Sequence, residues 1–578
     1  MQESIDVQFC SNEKQPQVAP QPNSNEMDAT TWLSLAAIGF TTLALYYHFK
    51  AFSYWKSRGI DGPTPWPFFG TNIYYVLRNK INVETDWHAK YGKTYGVYDG
   101  YWPTLRTIDN ELIKQVWIKD FSSFTDRFSV FVYKENPKTW LFWSPGERWA
   151  NQRALMAPMF TSLRLKTMLN MMKSCNDTFR QVVDRKMGQP SKDASANISK
   201  DELMAYNLDV TAQSLFGLKL DTYADKSSDF FQRAFAFASF SFKRFAVYLL
   251  TPAFISRLIE FDLLHYSKYE YFDKLTASVL KERRQKRLEA SSPTTTTTAT
   301  AKANDFIQLL MDANLDETNQ RIYSKDDEAD NHYSGNQTSH EMEQQQAEQT
   351  RQSKYFKRFD DMEIRGQTTF LFLAGFETTS SSLTFCIYEL AHRPYLQQVI
   401  YDELTETLGS DRPLSELEMN ELMGLKELNA FVSEALRLYN PVTETNRMCT
   451  KKEGHTVMID GRPVHLTHRC AVAYNAFILQ RQKEYFDEPL KFDMSRFYPE
   501  NRHMIKPCTY APFGLGPRNC AGMRFALLNI RLFLANLIYT YTFEPAPVCK
   551  QYPPNFNKHA FFLQLTDSEI KIEPRNKS

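Results

Sequence analysis

The sequence predicts a mainly α-helical chain with small β-sheets, organised as a single large domain. Apolar residues recur at helical spacing in several long runs, at 163–187, 272–290, 356–392 and 420–439. Strand-like alternation is confined to short pieces, at 93–108 and 455–466. The chain has 578 residues, of which 43% are hydrophobic and 14% aromatic. This composition can fill a large core and excludes a globally disordered chain.

Charge and cysteine content argue against three further classes. The 68 basic and 67 acidic side chains leave a net charge of +1, which argues against a nucleic-acid partner bound through bulk charge. The eight cysteines form no CxxC or CxxH pair, so they predict neither a disulfide framework nor a zinc site. Scattered cysteines of this kind are typical of a protein in a reducing compartment.

The N-terminal part predicts a membrane anchor. Residues 1–28 are polar and predict a flexible tail. Residues 29–49 contain no Asp, Glu, Lys or Arg, and about 20 helical residues cross a hydrocarbon core of about 30 Å. We therefore expect a transmembrane helix, with a buried core helix as the alternative. Lys50, Lys56 and Arg58 follow a mainly acidic tail, which places the C-terminal part in the cytosol.

Two further boundaries follow from composition. Residues 50–70 are basic and proline-rich and predict a stiff linker. The remaining 71–578 is expected to form the single large domain. Within it, about 290–355 is rich in Thr, Gln and Asp and predicts a flexible surface insertion.

The segment FGLGPRNCAG, from Phe513 to Gly522, precedes a strongly apolar helix. Its glycines and proline predict a tight loop that places Cys520 at the entrance of that helix. The positive end of a helix favours a thiolate, which suits metal binding. The alternative is a glycine-rich loop around an ordinary core cysteine.

A second segment, FLFLAGFETT at 370–379, places an acid inside an apolar helix. Glu377 is the only charged residue between Arg365 and Glu389. A helical glycine such as Gly375 costs about 1 kcal/mol, and a threonine hydroxyl such as that of Thr378 can bond a backbone carbonyl, so the helix can open locally. The alternative is a simple kink with Glu377 at the solvent edge.

Two more pairs lie at helical spacing. Glu434 and Arg437 are three residues apart and predict an ion pair. Trp149 and Arg153 are four residues apart on one helical face. The alternatives are a structural ion pair for Glu434 and Arg437 and a solvated surface charge for Arg153.

The cysteine segment resembles the haem-binding loop of the cytochrome P450 family, FxxGxRxCxG. Phe513, Gly516, Arg518, Cys520 and Gly522 fill its defined positions. The resemblance implies the cytochrome P450 fold and haem b, with Cys520 as the axial ligand of its iron. A thiolate ligand favours cleavage of an O–O bond, so oxygen activation is the implied chemistry.

The other motifs resemble the same family. AGFET is similar to its oxygen-binding groove, where the residues matching Glu377 and Thr378 deliver protons. In the family the pair matching Glu434 and Arg437 locks to an arginine, here Arg496, in a sequence that is usually PERF and here reads MSRF.

Closer similarity, over about 85–565, is to the vertebrate 3A subfamily, and it implies several haem-propionate contacts. The residues in these positions are Arg127, Trp149, Arg153, Arg447 and Arg518. The chain departs from the family at 479–486, LQRQKEYF, where a His-Arg-Asp sequence is usual, and in the insertion and the N-terminal tail. The aromatic segment 235–250 resembles the roof of the 3A pocket, although ordinary core packing explains it equally well.

The resemblance implies a haem-thiolate monooxygenase of the endoplasmic reticulum membrane. It would hydroxylate a lipophilic substrate with O2 and electrons from NADPH, with NADPH–cytochrome P450 reductase and cytochrome b5 as partners. Exposed basic residues at Arg148, Arg164 and Lys166 are a hypothetical docking surface for the reductase.

Two alternatives stay open at this point. One is a haem-thiolate isomerase or dehydratase of an oxygenated lipid, whose relatives lack the threonine, so Thr378 favours the oxygenase. The other is a non-catalytic haem-binding protein. The sequence leaves the identity of the substrate open.

Overall fold

The structure is a computed structural model, and the described residues exclude several gaps. They are 29–67, 69–128, 134–188, 194–220, 222–223, 228–238, 242–251, 255, 258–261, 265–290, 305–313, 358–409, 412–557 and 562–575. The predicted tail 1–28 lies outside them, as does most of the predicted insertion 290–355. Within that insertion a short helix, Phe306–Asp312, is described.

The chain divides into two compact units, Met1–Ser53 and Tyr54–Ser578. In the first unit the described residues form one helix, Ala29–Phe52, which contains the predicted span 29–49. The hydroxyls of Ser34 and Thr41 donate to the backbone carbonyls of Thr30 and Ala37, each at 2.7 Å. These polar groups are therefore satisfied within the helix itself.

The second unit is mainly helical, as predicted. Its helices run Asn72–Leu77, Lys80–Tyr91, Asn110–Lys114, Glu135–Thr139, Gly146–Met156, Ser162–Met187, Lys200–Phe216, Asp229–Ala238, Phe242–Leu250, Tyr266–Ala290, Phe306–Asp312, Asp361–His392, Pro394–Leu408, Met419–Gly424, Lys426–Tyr439, Ala476–Leu479 and Met523–Thr540.

The described residues of this unit also form three small sheets. Their strands are β1 (Thr94–Asp99), β2 (Trp102–Thr107), β3 (Ala196–Ile198), β4 (Glu444–Met448), β5 (His455–Ile459), β6 (Arg462–Leu466), β7 (Ala471–Asn475), β8 (Tyr541–Pro545) and β9 (Ile570–Pro574). The strand orders are β1-β2-β7-β4, β3-β9-β8 and β5-β6. The strand-like pieces at 93–108 and 455–466 are the hairpins β1-β2 and β5-β6, which confirms their prediction.

The helix Asp361–His392, called the central helix below, forms the middle of the second unit. It starts where the Asp360 side chain accepts the backbone N–H of Glu363 at 2.7 Å, and it ends before Pro394 as predicted. Among the described residues, this is the one helix long and apolar enough to cross a membrane. However, 72% of its most apolar stretch is buried inside the protein, as expected for a core helix.

The predicted helical run 420–439 is wrong in one respect, because it is two helices that break at Leu425. The carboxylate of Glu403, from a neighbouring helix, accepts the backbone N–H groups of Glu427 and Leu428 at 2.8 and 3.0 Å. A side chain distant in sequence thus caps the second helix, Lys426–Tyr439, and no local pattern could indicate it.

The predicted linker 50–70 packs closely from Tyr54 onward. Trp55 is buried and donates its indole N–H to the carbonyl of Val97 at 2.8 Å. Gly70 pairs with Asp99 at the edge of β1. The proline-rich segment therefore belongs to the second unit.

Candidate active site

The loop that carries Cys520 is fixed by its own backbone. The N–H of Cys520 donates to the carbonyl of Phe513 at 2.8 Å, and that of Asn519 donates to Gly516 at 3.0 Å. Gly516 has φ of +68°, and a Cβ there would lie 2.0 Å from the carbonyl oxygen of Trp117. Only glycine fits this position.

Cys520 differs from the other described cysteines. It is exposed, whereas Cys175, Cys386, Cys449, Cys470, Cys508 and Cys549 are buried. Burial by the surrounding protein nevertheless raises the pKa of the Cys520 thiol, although the Gly522 N–H, Arg153 and Arg127 lower it. Cys520 is thus accessible to solvent, although protein atoms crowd around it.

The helix end lies farther from Cys520 than the sequence predicts. The following helix starts at Met523, three residues after Cys520, so the helix end acts weakly on the sulfur. A metal cation bound to the sulfur is the stronger means of holding it deprotonated.

Three arginines lie beside the cysteine loop. Arg127 donates to the Arg518 carbonyl at 3.2 Å, Arg447 donates to the Leu515 carbonyl at 3.3 Å, and Arg518 donates to the Ser144 carbonyl at 2.5 Å. Burial lowers the pKa of Arg127 to about 10. Burial and repulsion between these arginines lower the pKa of Arg447 and of Arg518 well below the usual value.

The arginines have little negative charge of their own. In the described part of the chain, Asp126 is the one carboxylate within 4 Å of the three guanidinium groups, at 3.9 Å from Arg518. Four buried nitrogens here also lack a partner among the described residues: Arg447 Nε, Arg518 Nε and Nη1, and Trp117 Nε1. This set of donors fits a ligand with two carboxylates beside a cysteine, such as haem b.

Trp149 and Arg153 lie on the helix Gly146–Met156 and both contact the same loop. The guanidinium of Arg518 lies 4.4 Å from the ring centre of Trp149. Arg153 donates to Asn519 Oδ1 at 2.7 Å, next to Cys520 in the sequence. The structure thus brings both predicted residues to the cysteine loop.

Glu434, Arg437 and Arg496 lie together in the part of the chain that precedes this loop. Arg437 Nε and Nη2 donate to the two carboxylate oxygens of Glu434 at 2.6 and 2.8 Å, and both side chains are fully buried. Arg496 Nε lies 3.5 Å from Glu434 Oε1. Arg437 also donates to the carbonyls of Gln480 and Pro489, each at 2.8 Å, so it joins three segments of the chain.

Thr378 lies on the central helix, which stays helical through this segment. Between Thr368 and Ala391 the helix is buried except at five partly exposed residues, namely Phe370, Leu371, Ala374, Gly375 and Thr378. The Thr378 hydroxyl donates to the Ala374 carbonyl at 2.6 Å. The next two carbonyls, of Gly375 and Phe376, accept Asn207 Nδ2 at 2.9 and 2.5 Å. Side chains therefore bond three successive carbonyls of the predicted groove.

Glu377 is only 1% exposed, which excludes the alternative that it lies at the solvent edge. Its Oε1 accepts Lys200 Nζ at 2.7 Å and Gln564 Nε2 at 2.5 Å. Sequence reasoning missed both partners, since they are 177 and 187 residues away and follow no motif.

Two weaker predictions have mixed outcomes. In the aromatic segment, Phe237 is fully buried and stacks on Phe372 at an interplanar angle of 4°, as core residues do. Phe235 in the same helix is partly exposed.

On the hypothetical docking surface, Arg148 pairs with Glu363 at 3.0 Å and is not a free charge, whereas Lys166 is exposed.

The fold and the site are those of a class of mainly helical proteins whose buried arginines beside a cysteine fit a prosthetic group with acidic side arms. The sequence matches the family model "Cytochrome P450" at residues 60–333 and 315–572. It is 30% identical to cytochrome P450 3A11 of Mus musculus over 562 residues, covering 94% of this chain and 97% of the relative. It is 31% identical to lithocholate 6-beta-hydroxylase of Mesocricetus auratus over 555 residues, covering 94% and 95%.

The chain therefore belongs to the cytochrome P450 family and is related to its 3A clan. It is a haem monooxygenase, and its cofactor is haem b with a cysteine thiolate as the axial ligand.

Proposed function

We propose that this protein is a membrane-attached monooxygenase that hydroxylates a lipophilic substrate with electrons from NADPH, delivered by NADPH–cytochrome P450 reductase with cytochrome b5 as a further donor. Substrate, O2, NADPH and a proton become the alcohol, water and NADP+. One oxygen atom enters a C–H bond, and the other leaves as water with two electrons and two protons. Bound haem b supplies the iron at which dioxygen is reduced and cleaved.

The observation that carries this proposal is the position of Cys520. Cys520 is accessible and lies in a loop beside three arginines, of which Arg447 and Arg518 have buried N–H groups without a partner among the described residues. We assign Cys520 as the thiolate ligand, and we assign Arg127, Arg447 and Arg518, with Trp149 and Arg153, to the two propionates. Phe513 holds the loop through its carbonyl, and the buried ions of Glu434, Arg437 and Arg496 keep the segment that precedes the loop in place.

Glu377 and Thr378 are assigned to proton delivery. Thr378 lies on the partly exposed stripe of the central helix, and Glu377 is the acid next to it. This pair favours the oxygenase over an isomerase or dehydratase, which reduces no oxygen and needs no protons for that purpose. Turnover that requires both NADPH and the reductase would establish the oxygenase class. Turnover that requires neither would establish the isomerase or dehydratase class.

A lipophilic substrate fits the side chains around the stripe. The partly exposed rings of Phe142 and Phe370 lie 6.3 Å apart, and Arg127 lies 4.4 Å from the ring centre of Phe142. The relative from Mesocricetus auratus is named lithocholate 6-beta-hydroxylase, so lithocholate is the first compound to test in a panel of steroids, fatty acids and xenobiotics. Substrates are recognised by the spin-state shift that they induce in the haem spectrum.

We assign a single membrane span to 29–49 because this stretch of the sequence carries no charged residue and basic residues follow it, with residues 54–578 in the cytosol and the endoplasmic reticulum as the location. Alkaline carbonate extraction and protease protection of the full chain test this assignment. A variant without residues 1–49 should leave the pellet, whereas the full chain should stay in it with its C-terminus accessible to protease. A full chain released by carbonate would overturn the span.

The central experiment is the carbon monoxide difference spectrum of the reduced protein. Wild type should show the far-red Soret band that thiolate ligation produces, and Cys520→Ser should lose it. Cys549→Ser, at a buried cysteine away from the loop, is the matched control and should keep the band. A Cys520→Ser protein with an unchanged band would overturn the assignment.

A further inference from the structure

Glu377 is held by three donors that all reach the same oxygen atom. Its Oε1 accepts Lys200 Nζ at 2.7 Å, Gln564 Nε2 at 2.5 Å and Ser381 Oγ at 3.3 Å. Ser381 lies one turn along the central helix, whereas the other two donors come from elsewhere in the chain. A nearly inaccessible carboxylate needs such partners, because removing a charge from water is costly unless it is paired.

Lys200 is itself fixed from two directions. It is the first residue of the helix Lys200–Phe216, which packs on the central helix and bonds its carbonyls through Asn207. The backbone N–H of Lys200 also donates to Ser568 Oγ at 3.3 Å, in the C-terminal segment that carries Gln564. The ammonium group therefore has a defined position relative to Glu377.

The three side chains differ in their access to solvent. The Lys200 side chain is 18% exposed and that of Glu377 is 2% exposed. Gln564 is also partly exposed. Lys200 and Gln564 are thus the more exposed partners of Glu377, and Thr378, the next residue along the central helix, is partly exposed.

We infer that Lys200 is a positioning residue that holds the Glu377 carboxylate in place, and that protons enter from solvent on the side of Glu377 where Lys200 and Gln564 lie. The inference rests on the proposed role of Glu377 in proton delivery. During turnover Glu377 takes a proton from water on the Lys200 side and releases it on the Thr378 side. The two protons that leave in the product water follow this route.

The test compares Lys200→Met with Lys200→Arg in the full-length haem protein. Lys200→Met should lower kcat of reductase-driven hydroxylation about tenfold with KM nearly unchanged, since general acid catalysis contributes about 100-fold or more in total. NADPH oxidation should then produce hydrogen peroxide instead of alcohol. Lys200→Arg, which keeps the charge, should recover most of the coupling.

Two controls separate this role from a merely structural one. Turnover driven by cumene hydroperoxide needs no protonation of dioxygen, so it should be unchanged in Lys200→Met. Lys186→Met removes a lysine that pairs with Glu202 at 2.7 Å on the same side of the fold, and it should leave coupling at the wild-type value. If Lys200→Met fails to keep the thiolate band, Lys200→Gln takes its place.

A double-mutant cycle gives a readout that is independent of turnover. If Lys200 acts through Glu377, the melting temperature of Lys200→Met/Glu377→Gln should be no lower than that of Glu377→Gln alone. If the decreases in melting temperature of the two single variants simply add in the double variant, the contact between Lys200 and Glu377 is overturned.

The outcomes distinguish this inference from the proposed function. If Glu377→Gln uncouples turnover but Lys200→Met does not, the inference is overturned and the role of Glu377 stands. If Glu377→Gln leaves coupling unchanged, both fall, while the monooxygenase assignment still depends on the Cys520→Ser spectrum.

Discussion

Gln480 joins Arg437 to the cysteine loop. Its Nε2 donates to the Arg437 carbonyl at 2.9 Å, and its Oε1 accepts the backbone N–H of Ala511 at 2.8 Å. In turn, Arg437 Nη1 donates to the Gln480 carbonyl at 2.8 Å. Gln480 lies within 479–486, the segment in which the sequence departs from the family pattern, and it connects Arg437 to Ala511 through an uncharged side chain.

Gln480→Leu should destabilise the holoprotein. It leaves the Arg437 carbonyl and the Ala511 N–H without this partner, and each unsatisfied buried group costs about 1–3 kcal/mol. Denaturant unfolding followed by Soret absorbance measures the loss. Gln482→Leu, on the same turn and half-buried, is the matched control. Equal losses in both variants would contradict the connecting role.

Arg437→Ala should abolish stable haem incorporation. It leaves the fully buried carboxylate of Glu434 without its main partner, and breaking a buried pair on one side costs about 3–5 kcal/mol. The haem-to-protein ratio after purification measures this. Arg412→Ala breaks a more exposed pair with Glu421 and should retain haem. An Arg437→Ala protein with full haem content would refute the prediction.

Gly516→Ala should prevent the loop from closing. The new methyl would lie 2.0 Å from the Trp117 carbonyl oxygen, in addition to a positive-φ strain of about 1–3 kcal/mol. Gly100 also has positive φ, at +64°, but a Cβ there would meet no atom within 4 Å, so Gly100→Ala isolates the strain. The thiolate band should be lost in the first variant and kept in the second; its survival in both would exclude a steric role for Gly516.

Glu389 should make stability depend on pH. Burial raises its pKa from 4.5 to about 7, although Arg393 and the Tyr439 hydroxyl lower it. Between these values the folded protein keeps a proton that the unfolded chain has lost, so the free energy of unfolding falls as pH rises through this window.

Glu389→Gln should flatten this part of the pH profile, by up to about 3 kcal/mol across the window. Urea unfolding at several pH values measures it. Glu416→Gln, at an exposed position, should retain the wild-type slope. A wild-type slope in Glu389→Gln would show that another group binds the proton.

Local patterns predicted much of this fold. Apolar periodicity indicated the helix Ser162–Met187 almost residue by residue, and Pro394 marked the end of the central helix. The spacing of three residues predicted the contact between Glu434 and Arg437, because residues three apart on a helix share a face.

The remaining contacts depend on which distant segments meet. Glu403 caps a helix, Asn207 bonds carbonyls of the central helix, and Lys200 pairs with Glu377. Each links elements far apart in the chain, and a single sequence carries no signal for such pairs. Arg148 shows the reverse, since its sequence context predicts a free surface charge whereas the folded chain binds it to Glu363.

Three like charges converge beside the cysteine loop, and Asp126 offsets only part of them. Without a bound anion, repulsion between these three guanidinium groups destabilises the folded site, and a prosthetic group with two carboxylates would offset that repulsion. On the proposed assignment of these arginines to the haem propionates, cofactor binding and folding are thermodynamically linked, because the porphyrin carboxylates would supply the counter-ions that the polypeptide lacks.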